Sequence, residues 1–349
     1  MKQPFIGILA TAMMIALSLA IVWQFDLVTL TSWTAWLFMC ATPALVLICV
    51  SWGGNPAFAA RLDQPVKGLV LLVLTCAAGA VVAPATFFLV GDGVSPPGPV
   101  LVIFAILTVI VMFWLTIMFG GWPFNRVVKS ELGAGLLLLA ACYGISYLLF
   151  RVFFDFGFLR GAPIYVEAMD PGGMFSAHGA LVFAATATGV LFLLLHFDLW
   201  PLVTVPLLRR QPWLGLGWMA LALSVGGAAM YLGVAVMGMD PLVFMARVPI
   251  PFIFGTIVVL NMLQNSLFAG LAQPLGGVCN AALAAVVGAL LAALYGTLAP
   301  SITGTLASGA PSHDFERWLA SALLGVTFPL LVLFAEFFGM WPLARKPEA

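Results

Sequence analysis

Charge is what this chain lacks. Of its 349 residues, 13 are Lys or Arg and 13 are Asp or Glu, 7% in all, against 63% hydrophobic residues, whereas a soluble domain carries about a quarter charged residues. A water-facing surface cannot be built from so few. The formal net charge is zero and no basic cluster is present, which argues against nucleic acid as a partner, because neutralising phosphates takes concentrated Lys and Arg. The five cysteines, Cys40, Cys49, Cys76, Cys142 and Cys279, lie in apolar runs without a Cys-x-x-Cys pair. They are expected to be buried, inert thiols rather than a redox or zinc site. Histidine is as scarce: three residues cannot supply two bis-histidine haem sites. There is no Gly-rich phosphate loop, no His-Glu-x-x-His, no Gly-x-Ser-x-Gly and no paired-aspartate motif, so no cofactor is expected.

Long apolar runs are what the chain does have, at 5–23, 33–52, 68–90, 99–120, 132–153, 178–198, 213–237, 249–270, 276–299 and 317–340. One bilayer crossing takes about 20 apolar residues. Lipid offers backbone groups no partner, so runs of this length are helices, and the strict alternation of a membrane barrel is missing. The expectation is an all-α polytopic membrane protein with about ten transmembrane helices in one integral membrane domain, 1–349, its first partner the lipid bilayer. The run from Phe5 to Trp23 is read as the first helix rather than a signal peptide, since no small-residue cleavage pattern follows it. With the N-terminus inside, Lys2, Arg61, Lys67, Arg126, Lys129, Arg209, Arg210, Arg345 and Lys346 share the inner side. Only Arg151, Arg160, Arg247 and Arg317 lie outside. That bias predicts both termini cytoplasmic, in a bacterial-type inner membrane.

Proline recurs where the even-numbered runs end: Asn55-Pro56, Trp122-Pro123, Trp200-Pro201, Gln273-Pro274 and Trp341-Pro342, with steps of 67, 78, 73 and 68 residues. Proline stops a helix and Trp suits the headgroup level. One such stop per pair of helices suggests an internal repeat of five helical hairpins, approximately 1–65, 66–130, 131–210, 211–275 and 276–349; two inverted five-helix halves are the alternative. Asn55-Pro56-Ala57 resembles an aquaporin box, but those channels use two boxes on half-helices and this triplet occurs once, at a basic helix end. Small residues at every fourth position, Ala284, Gly288, Ala292 and Gly296, predict close helix packing.

Polar residues at depth are the informative ones in a bilayer, because they are costly there. Asn261, Gln264 and Asn265, at i, i+3 and i+4, are expected on one inward face, either bonding neighbouring helices or lining a solute path. Tyr143, Tyr147 and Arg151 follow at four-residue spacing and extend that candidate path. Arg151 either anchors a helix end beside Asp155 or receives an anionic solute. On the outer side, Asp170, His178, His313, Asp314 and Glu316 form a candidate mouth, able to bind a metal or a proton if the imidazoles meet, and otherwise acting as solvated helix caps. His196 and Glu336, at similar depth on the inner side, are a weaker candidate proton relay. No acidic or basic residue lies near the centre of a run, which weighs against a voltage sensor or a mid-membrane carboxylate.

A transporter or permease for a small-molecule solute is therefore the leading expectation, and not an enzyme. A membrane subunit of a larger redox or export complex is the alternative, so partner subunits or a homo-oligomer stay open. The third expectation is an enzyme acting on a lipid-borne substrate through Arg160, Glu167, Asp170, His178, His313 or Asp314.

Overall fold

The computed structural model describes residues 2–344; Arg345 and Lys346 of the charge count lie outside them. Ten helices among the described residues are long and apolar enough to cross a membrane: α1 (Phe5–Val22), α2 (Leu27–Ser51), α3 (Val66–Leu89), α4 (Pro99–Met118), α5 (Glu131–Phe153), α6 (Ala177–His196), α7 (Trp213–Val236), α8 (Pro241–Met262), α9 (Leu275–Thr303) and α10 (Asp314–Phe337). The protein is an all-α integral membrane protein. Beyond the helices, a two-residue parallel pairing joins Phe154–Asp155 to Phe175–Ser176 at the ends of the loop between α5 and α6.

Burial sorts the helices by parity. The even ones are 61–78% buried over their most apolar stretch and the odd ones 17–39%, so the even helices form an inner layer and the odd ones face lipid. The inner layer closes: α2 packs on α4, α4 on α6, α6 on α8, α8 on α10, and α10 back on α2. Each odd helix lies over the groove between two even ones. Thus α3 covers α2 and α10, α5 covers α4 and α2, α7 covers α6 and α4, α9 covers α8 and α6, and α1 covers α10 and α8. The most extensively packed pairs, α2 with α3, α6 with α7 and α8 with α9, each join an even helix to the odd helix that follows it. This is offset by one helix from the odd-then-even hairpins expected from the prolines. The sequence shows the short connections but not which neighbour buries more surface.

The N-terminal end of α1 and the C-terminal ends of all even helices lie on one side, called here the terminal face. There the same local structure is built repeatedly. α2, α4, α8 and α10 finish in a wide π-turn. Two residues in left-handed conformation follow each: Gly53 and Gly54, Gly120 and Gly121, Gln264 and Asn265, Gly339 and Met340. The second of each pair donates its N–H to a carbonyl six residues back, Gly54 to Ile48, Gly121 to Leu115, Asn265 to Val259 and Met340 to Phe334, at 2.9–3.0 Å. The bond reaches six residues because the last turn is widened. α6 ends without the π-turn, on Asp198 and Leu199 in the same backbone region.

The opening of the odd helices is equally regular. Gln3, Gln64, Gln211 and Gln273 each precede a proline, and each side chain bridges two helices. Its Nε2 donates to the last carbonyl of an even helix, Met262, Phe337, Met118 and His196 respectively, at 2.6–3.1 Å. Its Oε1 accepts from the backbone of the glycine four residues on, Gly7, Gly68, Gly215 or Gly277, at 3.1–3.2 Å. Otherwise orphaned groups at one helix C-terminus and one helix N-terminus are satisfied together. Gly68, Gly215 and Gly277 must be glycine, since a Cβ there would overlap the ring of Phe338, Phe119 or Phe197. Gln273-Pro274, grouped by the sequence with the even-helix stops, therefore belongs to this odd-helix series. The small-residue stripe packs as expected: a Cβ on Gly288 would overlap the Pro251 carbonyl, and one on Gly255 the Ala284 carbonyl, so α8 and α9 meet backbone to backbone.

Candidate functional site

The axis of the inner layer is apolar at its middle and polar at its two ends. At mid-depth a cavity of about 60 Å³ is lined by all five even helices, with Met39, Phe113, Ala185, Ile253 and Leu324 among its walls. A space of that size and character stays dry. Phe113 stacks edge-on against Phe192 at 5.2 Å and Phe328 at 5.9 Å, closing the axis with rings. The buried hydroxyls nearby are consumed locally: Thr42, Thr116, Thr186 and Thr188 donate to carbonyls four residues back.

On the face opposite the termini, the even helices begin, and three of their N-terminal ends bring polar side chains together. Asp240 caps α8: its Oδ1 accepts from the backbone N–H of Leu242 at 2.9 Å and of Val243 at 3.2 Å. Its Oδ2 accepts from His313 Nε2 at 3.0 Å. His313, at the head of α10, is buried and held in a left-handed backbone conformation. Its ring meets that of His178, in the first turn of α6, edge to face at 6.1 Å, and His178 in turn rests on Phe158 at 4.3 Å. Arg317 donates to Thr31 of α2 at 3.3 Å and lies 3.9 Å from Asp314. Burial acts to raise the Asp240 carboxyl, but the hydrogen bond from His313 and the two backbone donors outweigh it and hold the group below the usual carboxylate range.

Of the five residues expected at this mouth, His178 and His313 are brought together and Asp314 lies beside them. Asp170 and Glu316 are used elsewhere. Asp170 pins the loop between α5 and α6, accepting from Phe156, Gly172 and the Tyr165 hydroxyl at 3.0 Å each. Burial raises its carboxyl, yet these donors bring it below the ordinary value. Glu316, buried, accepts from Ser308 at 2.5 Å and from Gly309 at 3.1 Å. The carboxylate that meets the His313 imidazole is Asp240, which no motif in the sequence singles out. Among the described residues, no three of His, Cys, Asp and Glu form a group that could hold a metal ion.

At the terminal end of the axis, Asn261 donates to Glu336 across α8 and α10 at 2.8 Å. Both are the penultimate residues of their helices. Gln264 and Asn265 do not share a helix face with Asn261: α8 ends at Met262, and the two amides form the left-handed cap. The apolar run misleads here, because Leu263, Leu267, Phe268 and Leu271 prolong it past the helix end, while the helix itself starts at Pro241. His196 bonds Thr256 of α8 at 3.0 Å rather than Glu336. Tyr143 donates to the Cys40 carbonyl at 3.2 Å, tying α5 to α2, and Tyr147 and Arg151 are exposed on the outer side of α5. Arg151 makes no ion pair with Asp155 among the described residues.

Sequence reasoning passed over Asp240, Thr256 and the glutamine bridges. The bridges carried a signal, since Gln-Pro-x-x-Gly stands at residues 3, 64, 211 and 273; the contact of Asp240 with residues 73 positions away carried none. Compared with protein-family models, curated proteins and solved structures, the chain matches none.

Proposed function

We propose that this integral membrane protein is a permease for a small solute, built from a helical hairpin repeated five times, with its path along the axis of the even helices. One observation carries the reading. Five inner helices close around an axis whose polar groups gather at its ends, His178, Asp240, His313 and Arg317 at one and Asn261 and Glu336 at the other, with an apolar constriction between them. Such a constriction gates by dewetting, and the form described is the closed one. With no charge at mid-depth, the path suits a solute that crosses uncharged. The terminal face is proposed as cytoplasmic, supported by Lys2, Arg61, Lys67, Arg126, Lys129, Arg209 and Arg210 on that side.

Light scattering from proteoliposomes tests the path. Phe113→Ala with Phe328→Ala removes rings from the constriction, and the double variant should pass urea or glycerol faster than wild type and empty vesicles. A correctly folded double variant no more permeable than empty vesicles would exclude the axis.

A membrane subunit of a larger complex is the second reading, favoured by one feature. An apolar groove of about 1010 Å³ runs between α5 and α7 over α4 and α6, from Trp122 and Phe124 to Phe175 and Ser176. Co-purification of another polypeptide seated there would favour it.

A further inference from the structure

Four of the five odd helices open on the glutamine bridge, and the fifth, α5, does not. Its register is set by Gly135, where a Cβ would overlap the Trp52 ring just past the end of α2, as Gly68, Gly215 and Gly277 do with Phe338, Phe119 and Phe197. Four residues before Gly135 stands Glu131 in place of glutamine. An ionised carboxylate has no proton to donate. The carbonyl of Ser51, last residue of α2 and counterpart of Met262, Phe337, Met118 and His196, therefore receives no side-chain amide. Glu131 instead accepts from the backbone N–H of Ala57 at 2.9 Å. Where the bridge would be, a cleft of about 280 Å³ opens on the terminal face, lined by Ser51, Trp52, Thr116, Asn125, Lys129 and Glu131.

The four intact junctions show what the fifth is missing: an N–H donor aimed at a helix-end carbonyl. Here the acceptors are stronger, because the carboxylate adds charge and the C-terminal ends of α2 and α4, both at the cleft, carry the negative end of their dipoles. Lys129 makes no ion pair with Glu131 among the described residues, so both charges stay available to a ligand. We propose that this cleft binds a primary ammonium group, its N–H donors shared between the Ser51 carbonyl and the Glu131 carboxylate, with an adjoining anionic group of the ligand on Lys129. An ammonium joined to a phosphate by a short chain has this chemistry, either as a free metabolite or as the headgroup of an aminophospholipid. The site does not depend on the axial path.

Thermal unfolding of the full-length protein in detergent, with phosphoethanolamine or phosphocholine added at equal ionic strength, separates the chemistry cleanly. The two probes differ in the three methyl groups that remove every N–H donor. A parallel series in nanodiscs of phosphatidylethanolamine or phosphatidylcholine tests the lipid-borne form. Preferential, saturable stabilisation by the ethanolamine member in either series supports the site, and the series in which it occurs identifies the source. Glu131→Gln, which restores the residue found at the other four junctions, should unfold at a higher temperature without ligand and lose the ethanolamine preference. Equal responses to the two headgroups, no response in either series, or an undiminished preference in Glu131→Gln would overturn the proposal.

Discussion

The two faces of this protein are built on different rules. On the terminal face one solution recurs: a left-handed pair caps the even helix, a glutamine bridges it to an odd helix, and a glycine admits the ring between them. On the opposite face the helix starts vary. Asp26 caps α2 through Thr29, Pro99 opens α4 with no side-chain cap, Asp240 caps α8, and His313 heads α10. Repetition is what a packing problem solved once looks like, whereas a varied face holding buried polar contacts is where selection for chemistry has room to act. The comparison predicts that changes on the terminal face cost stability and changes on the opposite face cost function.

The largest effect should come from forcing a side chain into a terminal junction. Gly215→Leu drives its branches into the Phe119 ring and should destabilise the fold by about 3 kcal/mol, seen as a collapse of the monodisperse peak in size-exclusion chromatography. Gly179→Ala, near the opposite face with nothing within 4 Å of the added Cβ, should leave that peak unchanged. If both variants behave alike, the contrast between the faces is not one of packing.

Next in size are the bridges. Gln64→Ala leaves the Phe337 carbonyl and the Gly68 N–H without their shared partner, at a cost of about 1–2 kcal/mol. Gln64→Glu should cost at least as much, because the carboxylate faces a carbonyl it can only repel. Melting temperatures of the two variants decide: equality with wild type would make the bridges incidental.

The ten spans were legible because an apolar run and a helix in lipid are nearly the same statement. Their ends were not, since Leu263 to Leu271 continue the run of α8 after the backbone has turned. The inner and outer layers were also hidden: α10 and α9 are equally apolar to a sequence, each with a mean hydropathy of 2.1, and only packing reveals that one is core and the other lipid-facing. At the outer ends of the helices, His178 and His313 could be named as a pair through their places at the starts of even-numbered helices. Asp240 could not, because its partner is set by three-dimensional contact and its cap role gives no motif beyond Asp-Pro. The glutamine bridges were readable in the Gln-Pro-x-x-Gly spacing, which overlaps the proline recurrence at Gln273-Pro274.

Acid should weaken the opposite face. The folded Asp240 carboxyl lies below its usual value of about 3.9, so the stability it contributes is fully present above that value and is lost as pH falls through the folded one. Asp170 and Asp26 are lowered as well, Asp170 by its backbone and Tyr165 donors against the effect of burial and Asp26 chiefly by the Thr29 N–H, and share that acid limb. Melting temperature measured from pH 7 down to about 3 should therefore fall below about pH 4 in wild type, and fall less steeply in Asp240→Asn. The variant should also lose about 1 kcal/mol near neutrality, where the His313 bond becomes one to a neutral amide. An acid limb of unchanged depth in Asp240→Asn would remove Asp240 from its causes.

The smallest effect is expected on the outer side of α5, and it bears most directly on the proposed axial path. Tyr147 is 44% exposed, Arg151 is exposed and without an ion pair among the described residues, and both lie toward lipid rather than toward the axis. An arginine near the end of a span reaches the headgroup level along its own stem, so its charge need not be matched by protein. Tyr147→Leu keeps an apolar body of similar reach, and Arg151→Ala removes a charge already in contact with the interface. Each should change stability by no more than about 0.5 kcal/mol and leave the solute permeability of the opened Phe113→Ala, Phe328→Ala background unaltered. A loss of permeability in Arg151→Ala with the melting temperature intact would move the path from the ring of even helices to the outer flank of α5.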